Sequence, residues 1–294
     1  MKVIVGGGTG FIGEPLVRRL IARGNDVAVL TRNPAKVRAG RAVPWSGVAN
    51  EVAGAEVVIN LAGENVGAGR WTAERKRRIL DSRVGSTREL VEAMRSNPRQ
   101  NRTFISPSAV GYYGPRGDEL LDESAPPGEG FLADVVRQWE EAARGAESVA
   151  RVVLLRFGVV LAGEGGALQK MMLPFRLGVG GPIGSGRQWM SWVDREDVLR
   201  AIEWAIQRPQ VRGVYNVTAP NPVINRDFAR ALGRALHRPA VMPTPAFALR
   251  LIFGQMADEV LLSGQRVAPA RATIEGFAFE YPTIDAALRH VRSG

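Results

Sequence analysis

The chain opens on a three-residue apolar run, Val3, Ile4 and Val5, which passes directly into a glycine cluster. Residues 14–23 then place apolar positions at helical spacing. The order is strand, tight turn, helix. Gly24 and Asn25 supply a helix stop, and residues 26–31 (Asp-Val-Ala-Val-Leu-Thr) read as a second strand. The alternation recurs: a buried strand over residues 57–63, a long helix over 72–96, a strand over 103–106 opening into Pro107-Ser-Ala-Val-Gly-Tyr-Tyr-Gly, a helix over 131–146 and a strand over 151–156. Residues 115–130, acidic and rich in Pro and Gly, predict a loop near the site. Such a pattern predicts an α/β fold, a Rossmann-type doubly wound parallel sheet.

Past residue 157 the pattern changes. Glycine-rich loops at 157–166 and 178–188 flank a short helix containing Met171, Met172 and Phe175. Residues 189–193 predict a strand, Asp194 is placed to cap a helix reaching about residue 207, and residues 214–217 predict one more strand. Beyond residue 222 the chain reads as mainly helical, at 225–236 and 245–253. We expect residues 1–220 to form the sheet domain, with 160–189 contributing to a substrate lobe, and residues 221–294 to form a smaller, mainly helical C-terminal lobe.

Composition narrows the function. A chain of 294 residues with 45% hydrophobic and 23% charged residues has an ordinary globular balance. No apolar run approaches the roughly 20 residues that a membrane span needs, and the first apolar run ends in glycines rather than continuing as a leader. These features predict a cytoplasmic protein without membrane contact. The absence of cysteine excludes disulfides, thiolate metal sites and a cysteine nucleophile. His237 and His290 stand in no metal-ligand spacing, so no metal is expected. Of the 39 basic residues only Lys2, Lys36, Lys76 and Lys170 are lysine, and the formal charge is +10. A basic surface favours anionic ligands, including a phosphorylated cofactor. The densest basic stretch, residues 70–88, also carries Glu74, Asp81, Ile79 and Val84, the pattern of a solvated helix face rather than of a nucleic-acid patch.

The glycine cluster carries the chemistry. Gly7, Gly10 and Gly13, with Gly8 as an alternative first member, let the backbone turn sharply, approach phosphates and pack helix on strand. The helix start then offers unpaired N–H groups to an anion. Where an NAD site places Asp or Glu after the second strand, this chain has Thr31 and Arg32. A guanidinium there can pair with a 2′-phosphate, so NADP(H) is expected over NAD(H); the alternative is that Arg32 is a solvent-exposed loop residue.

Five motifs, taken in order, resemble the extended short-chain dehydrogenase/reductases: Val-Gly-Gly-Gly-Thr-Gly-Phe-Ile-Gly from Val5, Asn-Leu-Ala-Gly from Asn60, Ser-Ala-Val-Gly-Tyr-Tyr-Gly from Ser108, Leu-Arg-Phe-Gly-Val-Val from Leu155 and Trp-Val-Asp-Arg-Glu-Asp from Trp192. Thr-Arg-Asn-Pro from Thr31, Gly-Gly-Pro-Ile-Gly-Ser-Gly-Arg-Gln from Gly180 and the segment from about residue 239 to 288 narrow the resemblance. They point to the atypical branch of epimerase family proteins, or nucleoside-diphosphate-sugar epimerases, with a C-terminal domain of unknown function. The resemblance implies that Gly7, Thr9, Gly10, Phe11 and Ile12 hold the pyrophosphate, Arg32 the adenosine phosphate, and Leu61, Ala62 and Gly63 the adenine or ribose side. It brings Ser106 and Ser108 toward the nicotinamide, with Ser108 on the reacting oxygen and Tyr112 as a substrate contact. Arg156, at the end of its strand, is expected on the cofactor side. A homodimer through paired long helices is usual for the superfamily.

The main departure is catalytic. The superfamily transfers a proton with a Tyr four residues before a Lys, the ammonium lowering the phenol's pKa. Here the residues four beyond the tyrosines are Arg116, Gly117, Ala219 and Asp285. Arg137 stands near the expected lysine position, and Arg83 replaces the Asn expected on the long helix. Two readings follow. In one, the protein is an NADP(H)-dependent oxidoreductase or epimerase acting on a small molecule, a nucleotide sugar or a small carbonyl compound, with Tyr112 or Tyr113 beside Ser108 as substitute acid and Arg83, Arg137 or Arg156 favouring phenolate; alternatively these tyrosines only wall the pocket. In the other it is a non-catalytic NADP(H)-binding redox-sensing or regulatory module. Arg187 and Gln188 either contact a substrate or order their loop. Gly-x-Ser-x-Gly does not surround Ser108, which argues against a hydrolase.

Overall fold

The computed structural model describes residues 1–293. Its centre is a seven-stranded sheet of β1 (Lys2–Gly6), β2 (Asp26–Thr31), β3 (Arg41–Pro44), β4 (Val57–Asn60), β5 (Thr103–Ala109), β6 (Arg151–Phe157) and β7 (Gly213–Val217). The spatial order is β7-β6-β5-β4-β1-β2-β3, with every pairing parallel. The Rossmann-type expectation holds.

Strand alternation explains the layers. Val3, Val5, Val27, Val29, Val57 and Ile59 point to one face, where α1 (Gly13–Ala22) and α6 (Arg195–Gln207) cover them with Leu16, Val17, Leu20, Val198 and Ile202. Ile4, Ala28, Leu30, Val58, Phe104 and Leu154 point to the other, under α2 (Val48–Ala53), α3 (Ala73–Ser96) and α4 (Phe131–Arg144). Strands buried on both faces need continuous apolar runs, and these strands have them. Both β3 and α2 are additions to the sequence reading. They are short, and only Val43 of β3 is buried.

A separate core joins α5 (Gly166–Arg176), α7 (Asn225–Leu236) and α10 (Ile284–Ser293) through Leu168, Met172, Phe175, Phe228, Leu232 and Leu288. The C-terminal third does not stay in that cluster. Ala272 of α9 (Ala270–Ile274) and Phe277 pack back on the main sheet, while Phe253 of α8 (Ala246–Phe253) packs against a small cluster of Trp71, Ile79, Val135 and Met256. The single strand expected over 189–193 is two short ones, Trp189–Met190 and Trp192–Asp194, which pair with different partners. Ser191 separates them: its hydroxyl donates to the Gln265 carbonyl at 2.7 Å and accepts from the Val267 N–H at 2.9 Å. Asp194 caps α6 as expected, accepting from the Glu196 N–H at 2.8 Å. Among the described residues no helix is long and apolar enough to cross a membrane.

Candidate functional site

Strand order reverses between β1 and β4, and ligands of open α/β sheets bind outside the carboxyl ends of strands at such a point. A cleft of about 360 Å³ lies there. One wall is the first turn, Gly7 and Gly10 to Gly13, with Leu61, Ala62 and Gly63 after β4. The opposite wall is Ser108 and the face of α4 that carries Leu132, Val135, Val136 and Trp139, with Arg83 of α3 beside them.

The turn fits a dinucleotide. Gly7 has φ of +74°, and a Cβ there would stand 2.5 Å from the Leu61 carbonyl, so only glycine keeps the backbone open at this point. No side chain caps α1 at Ile12; the Glu14 and Leu16 N–H groups bond the Gly10 and Ile12 carbonyls and Pro15 has none, which leaves the N–H groups of Phe11, Ile12 and Gly13 for an anion. Glycine at position 6, where the family pattern has Thr or Ser, has a steric reason: a Cβ would lie 2.9 Å from Asn60 Oδ1. Asn60 is buried and fixed, its amide donating to Thr87 Oγ1 at 2.9 Å and to Ser86 Oγ at 3.1 Å. Its carbonyl oxygen accepts the Ala62 N–H at 3.2 Å, which sets the course of residues 61–63. Thr9 is half-buried on the turn outside the cleft lining, and Phe11 packs its ring under Gly166 at the start of α5.

Arg32 follows β2 directly, exposed and with no hydrogen bond or ion pair to another described residue. The Thr31 hydroxyl accepts the Asn33 N–H at 3.0 Å and donates to its carbonyl at 3.2 Å. Thr31 therefore shapes the loop that presents Arg32 and has no proton left for a ligand.

Behind the cleft lies a buried polar network. Ser108 Oγ donates to Glu140 Oε1 at 2.6 Å. Arg156 grips the same carboxylate with two bonds, Nε to Oε1 at 2.7 Å and an η nitrogen to Oε2 at 2.8 Å. Its other η nitrogen donates to the Tyr113 hydroxyl at 2.9 Å, which donates in turn to Asn216 Oδ1 at 2.8 Å. Burial alone would lower the Arg156 pKa, but the bonds and charge of Glu140 outweigh it and hold the guanidinium above its ordinary value. Burial pushes the Tyr113 phenol up to about 12, against the opposing pull of Arg156.

The expected site residues fall in different places around this network. Tyr113 is fully buried with both hydrogen-bonding roles occupied, so it is not a proton donor to the cleft. Tyr112 is half-buried with the Arg156 guanidinium 3.4 Å from its ring centre, and it does not line the cleft. Arg156 is committed to Glu140 and is not among the residues that line the cleft. Ser106 is buried with its hydroxyl on the Pro107 carbonyl at 3.3 Å, also outside the lining. Arg137 points to solvent and pairs with Asp134 at 2.8 Å. The α4 positions four apart that do reach the cleft are Leu132 with Val136 and Val135 with Trp139, all apolar. Gln188 ties its loop to two carbonyls, Ile183 at 3.1 Å and Leu261 at 2.8 Å, and neither it nor the exposed Arg187 lines the cleft.

The C-terminal segment also touches the site. Glu259 accepts the Phe131 and Leu132 N–H groups at 3.2 and 3.0 Å, capping the helix that walls the cleft. Sequence reasoning did not single out Glu259 or Glu140, and it named Asn60 only as the start of the Asn-Leu-Ala-Gly motif, without its buried partners. The last two carried a signal, since each is a polar residue inside an apolar stripe that has to find a buried partner.

Comparison with known proteins decides the family. Residues 3–218 match the model of the NAD dependent epimerase/dehydratase family, and residues 244–291 match a domain of unknown function, DUF1731. The chain belongs to the NAD dependent epimerase/dehydratase family. Within it, the chain is 41% identical over 302 residues to the chloroplastic epimerase family protein SDR39U1 homolog of Arabidopsis thaliana, covering 99% of this chain and 86% of that one. The crystal structure of human epimerase family protein SDR39U1 (isoform2) with NADPH superposes with a TM-score of 0.92 at 36% identity, covering 100% of both chains. Thermus thermophilus UDP-glucose 4-epimerase, in complex with NAD, shares the fold with a TM-score of 0.79 at 21% identity, again over 100% of both chains.

Proposed function

We propose that this family member is an NADP(H)-dependent oxidoreductase or epimerase of the extended short-chain dehydrogenase/reductase type acting on a small molecule. The observation that carries the reading is a glycine turn at the sheet's reversal point combined with an exposed, unpaired Arg32 at the end of β2. The human relative crystallised with NADPH supports the phosphorylated cofactor. Gly7, Gly10 and the start of α1 would hold the pyrophosphate, Arg32 the 2′-phosphate, and residues 61–63 the ribose side. When bound, the dinucleotide supplies a hydride donor or acceptor.

The chain's own contribution is positioning. Ser108 lines the cleft: with its proton on Glu140 it can accept from a substrate hydroxyl, and with that proton turned into the cleft it can donate to a substrate carbonyl. Leu132, Val135 and Val136 make the wall beside it apolar. The test is a screen of carbonyl compounds for NADPH oxidation with wild type and Ser108→Ala. The reading expects turnover with some of them, lost in the variant while NADPH affinity is kept. A second reading, a redox-sensing NADP(H)-binding module without turnover, draws on the apolar α4 positions that leave no Tyr–Lys pair. It expects NADPH binding and no oxidation across the whole panel. We also propose a homodimer in the cytoplasm, packed through α3 and α4, whose outward faces are charged with Arg88, Glu89, Glu92 and Glu141.

A further inference from the structure

Arg83 is the one cation among the residues that line the cleft. Arg83 reaches from α3 to a point where a Cβ on Gly63 would lie 3.3 Å from its Cζ, and its Cζ stands 5.4 Å from the Trp139 ring centre. It donates to the Ile79 carbonyl at 3.1 Å and forms no ion pair with a described residue. Glu64, the carboxylate whose charge it feels, pairs with Arg75 at 3.7 Å. Burial pushes the Arg83 guanidinium down to about 10, with Glu64 opposing, so an anion received there would relieve a desolvated charge.

Around Arg83 the wall is apolar: Val66, Leu132, Val135, Val136, Trp139 and Phe157. Among the lining residues only Arg83 and Ser108 carry polar side chains. A hydroxyl-rich sugar would leave several of its polar groups without partners in such a pocket. A planar guanidinium instead matches a carboxylate, which it can take with two parallel bonds.

We propose that Arg83 anchors the carboxylate of a small, otherwise apolar acid whose hydroxyl or carbonyl lies at Ser108. This inference rests on the cofactor-dependent reading above, and it makes the substrate an apolar oxo or hydroxy acid rather than a nucleotide sugar.

The test is a thermal-shift series on wild type, Arg83→Gln and Arg83→Lys, each with and without saturating NADPH. The added probes are phenylpyruvate, phenyllactate, their amides and UDP-glucose. At about 100 times its dissociation constant, a bound acid raises the wild-type midpoint by about 5 °C. The matching amide binds at least about tenfold more weakly, because it lacks the charge-assisted pair. Arg83→Gln loses the preference for acid over amide and keeps the wild-type response to NADPH; Arg83→Lys retains part of the preference. Four results would overturn the proposal: no acid binds, Arg83→Gln keeps the preference, Arg83→Gln loses its NADPH response, or UDP-glucose alone binds. If NADPH itself gives no shift in wild type, the cofactor reading fails, and the acid arm measured without nucleotide still decides the role of Arg83.

Discussion

Replacing Glu140 by glutamine probes the centre of the buried network. Glu140 and Arg156 are 4% and 2% exposed, and the carboxylate takes three hydrogen bonds, two from Arg156 and one from Ser108. With the amide oxygen at the Oε1 position, the bonds from Arg156 Nε and Ser108 are kept. The amide nitrogen then faces the Arg156 η nitrogen, donor against donor, at a place where the distance was 2.8 Å. The guanidinium is left charged and buried without its counter-charge, keeping the amide oxygen on Nε, the Tyr113 hydroxyl at 2.9 Å and the Tyr112 ring. Removing one partner of a buried pair costs about 3–5 kcal/mol. Glutamine keeps the shape and one acceptor, which puts the expectation at about 3 kcal/mol, or a fall in Tm of about 6–12 °C. The assay is thermal and urea denaturation of wild type, Glu140→Gln, Arg156→Met and the double variant. The double variant should be more stable than the sum of the single losses predicts, since it removes both charges together. A loss below about 1 kcal/mol for Glu140→Gln, or strict additivity in the double variant, would refute the reasoning.

Further outcomes follow from other parts of the molecule. Gly7→Ala forces a side chain into left-handed backbone 2.5 Å from the Leu61 carbonyl, so NADPH should no longer raise the melting midpoint of the folded variant; a wild-type NADPH response would contradict the geometry of the turn. The hydrogen bond from Arg41, then that from Lys2, holds Glu51 down to about 2 from 4.5 despite partial burial. A depressed carboxylate stabilises the fold above its unfolded pKa, so this contribution is complete at neutral pH and declines as pH falls from about 4.5 toward 2. Glu51→Gln should flatten the stability curve across that window, and an unchanged acid limb in urea titrations would argue against the pair.

The fold was legible because its signals are local. Val3–Val5, residues 26–31 and residues 57–60 are apolar runs that must be buried on both faces, and each is followed by a turn or a helix with clear punctuation. The short β3 gave no such run, and the split at Ser191 depends on residues 265–267, some 74 positions away. The glycine turn and Arg32 were readable for the same local reason. The proton-transfer side was not. Counting positions suggested Arg137 as a lysine substitute, whereas helical geometry turns the face carrying Leu132, Val136 and Trp139 inward and puts residue 137 about 100° away from residue 136. Glu140, Arg156, Tyr113 and Asn216 come from four separate segments, so their association exists only in three dimensions. Arg83 was visible as a replacement, but its place among apolar side chains was not.

The central claim is that the turn at Gly7 and the guanidinium of Arg32 together bind a phosphorylated dinucleotide. The most direct measurement is a parallel fluorescence titration of wild type and Arg32→Ala with NADPH and NADH. A charge-assisted pair to the 2′-phosphate is worth about 1.5–3 kcal/mol, so wild type should prefer NADPH by roughly 10- to 150-fold. Arg32→Ala should lose that preference by weakening NADPH alone. Equal affinity of wild type for the two nucleotides, an unchanged preference in the variant, or no binding of either would contradict the account.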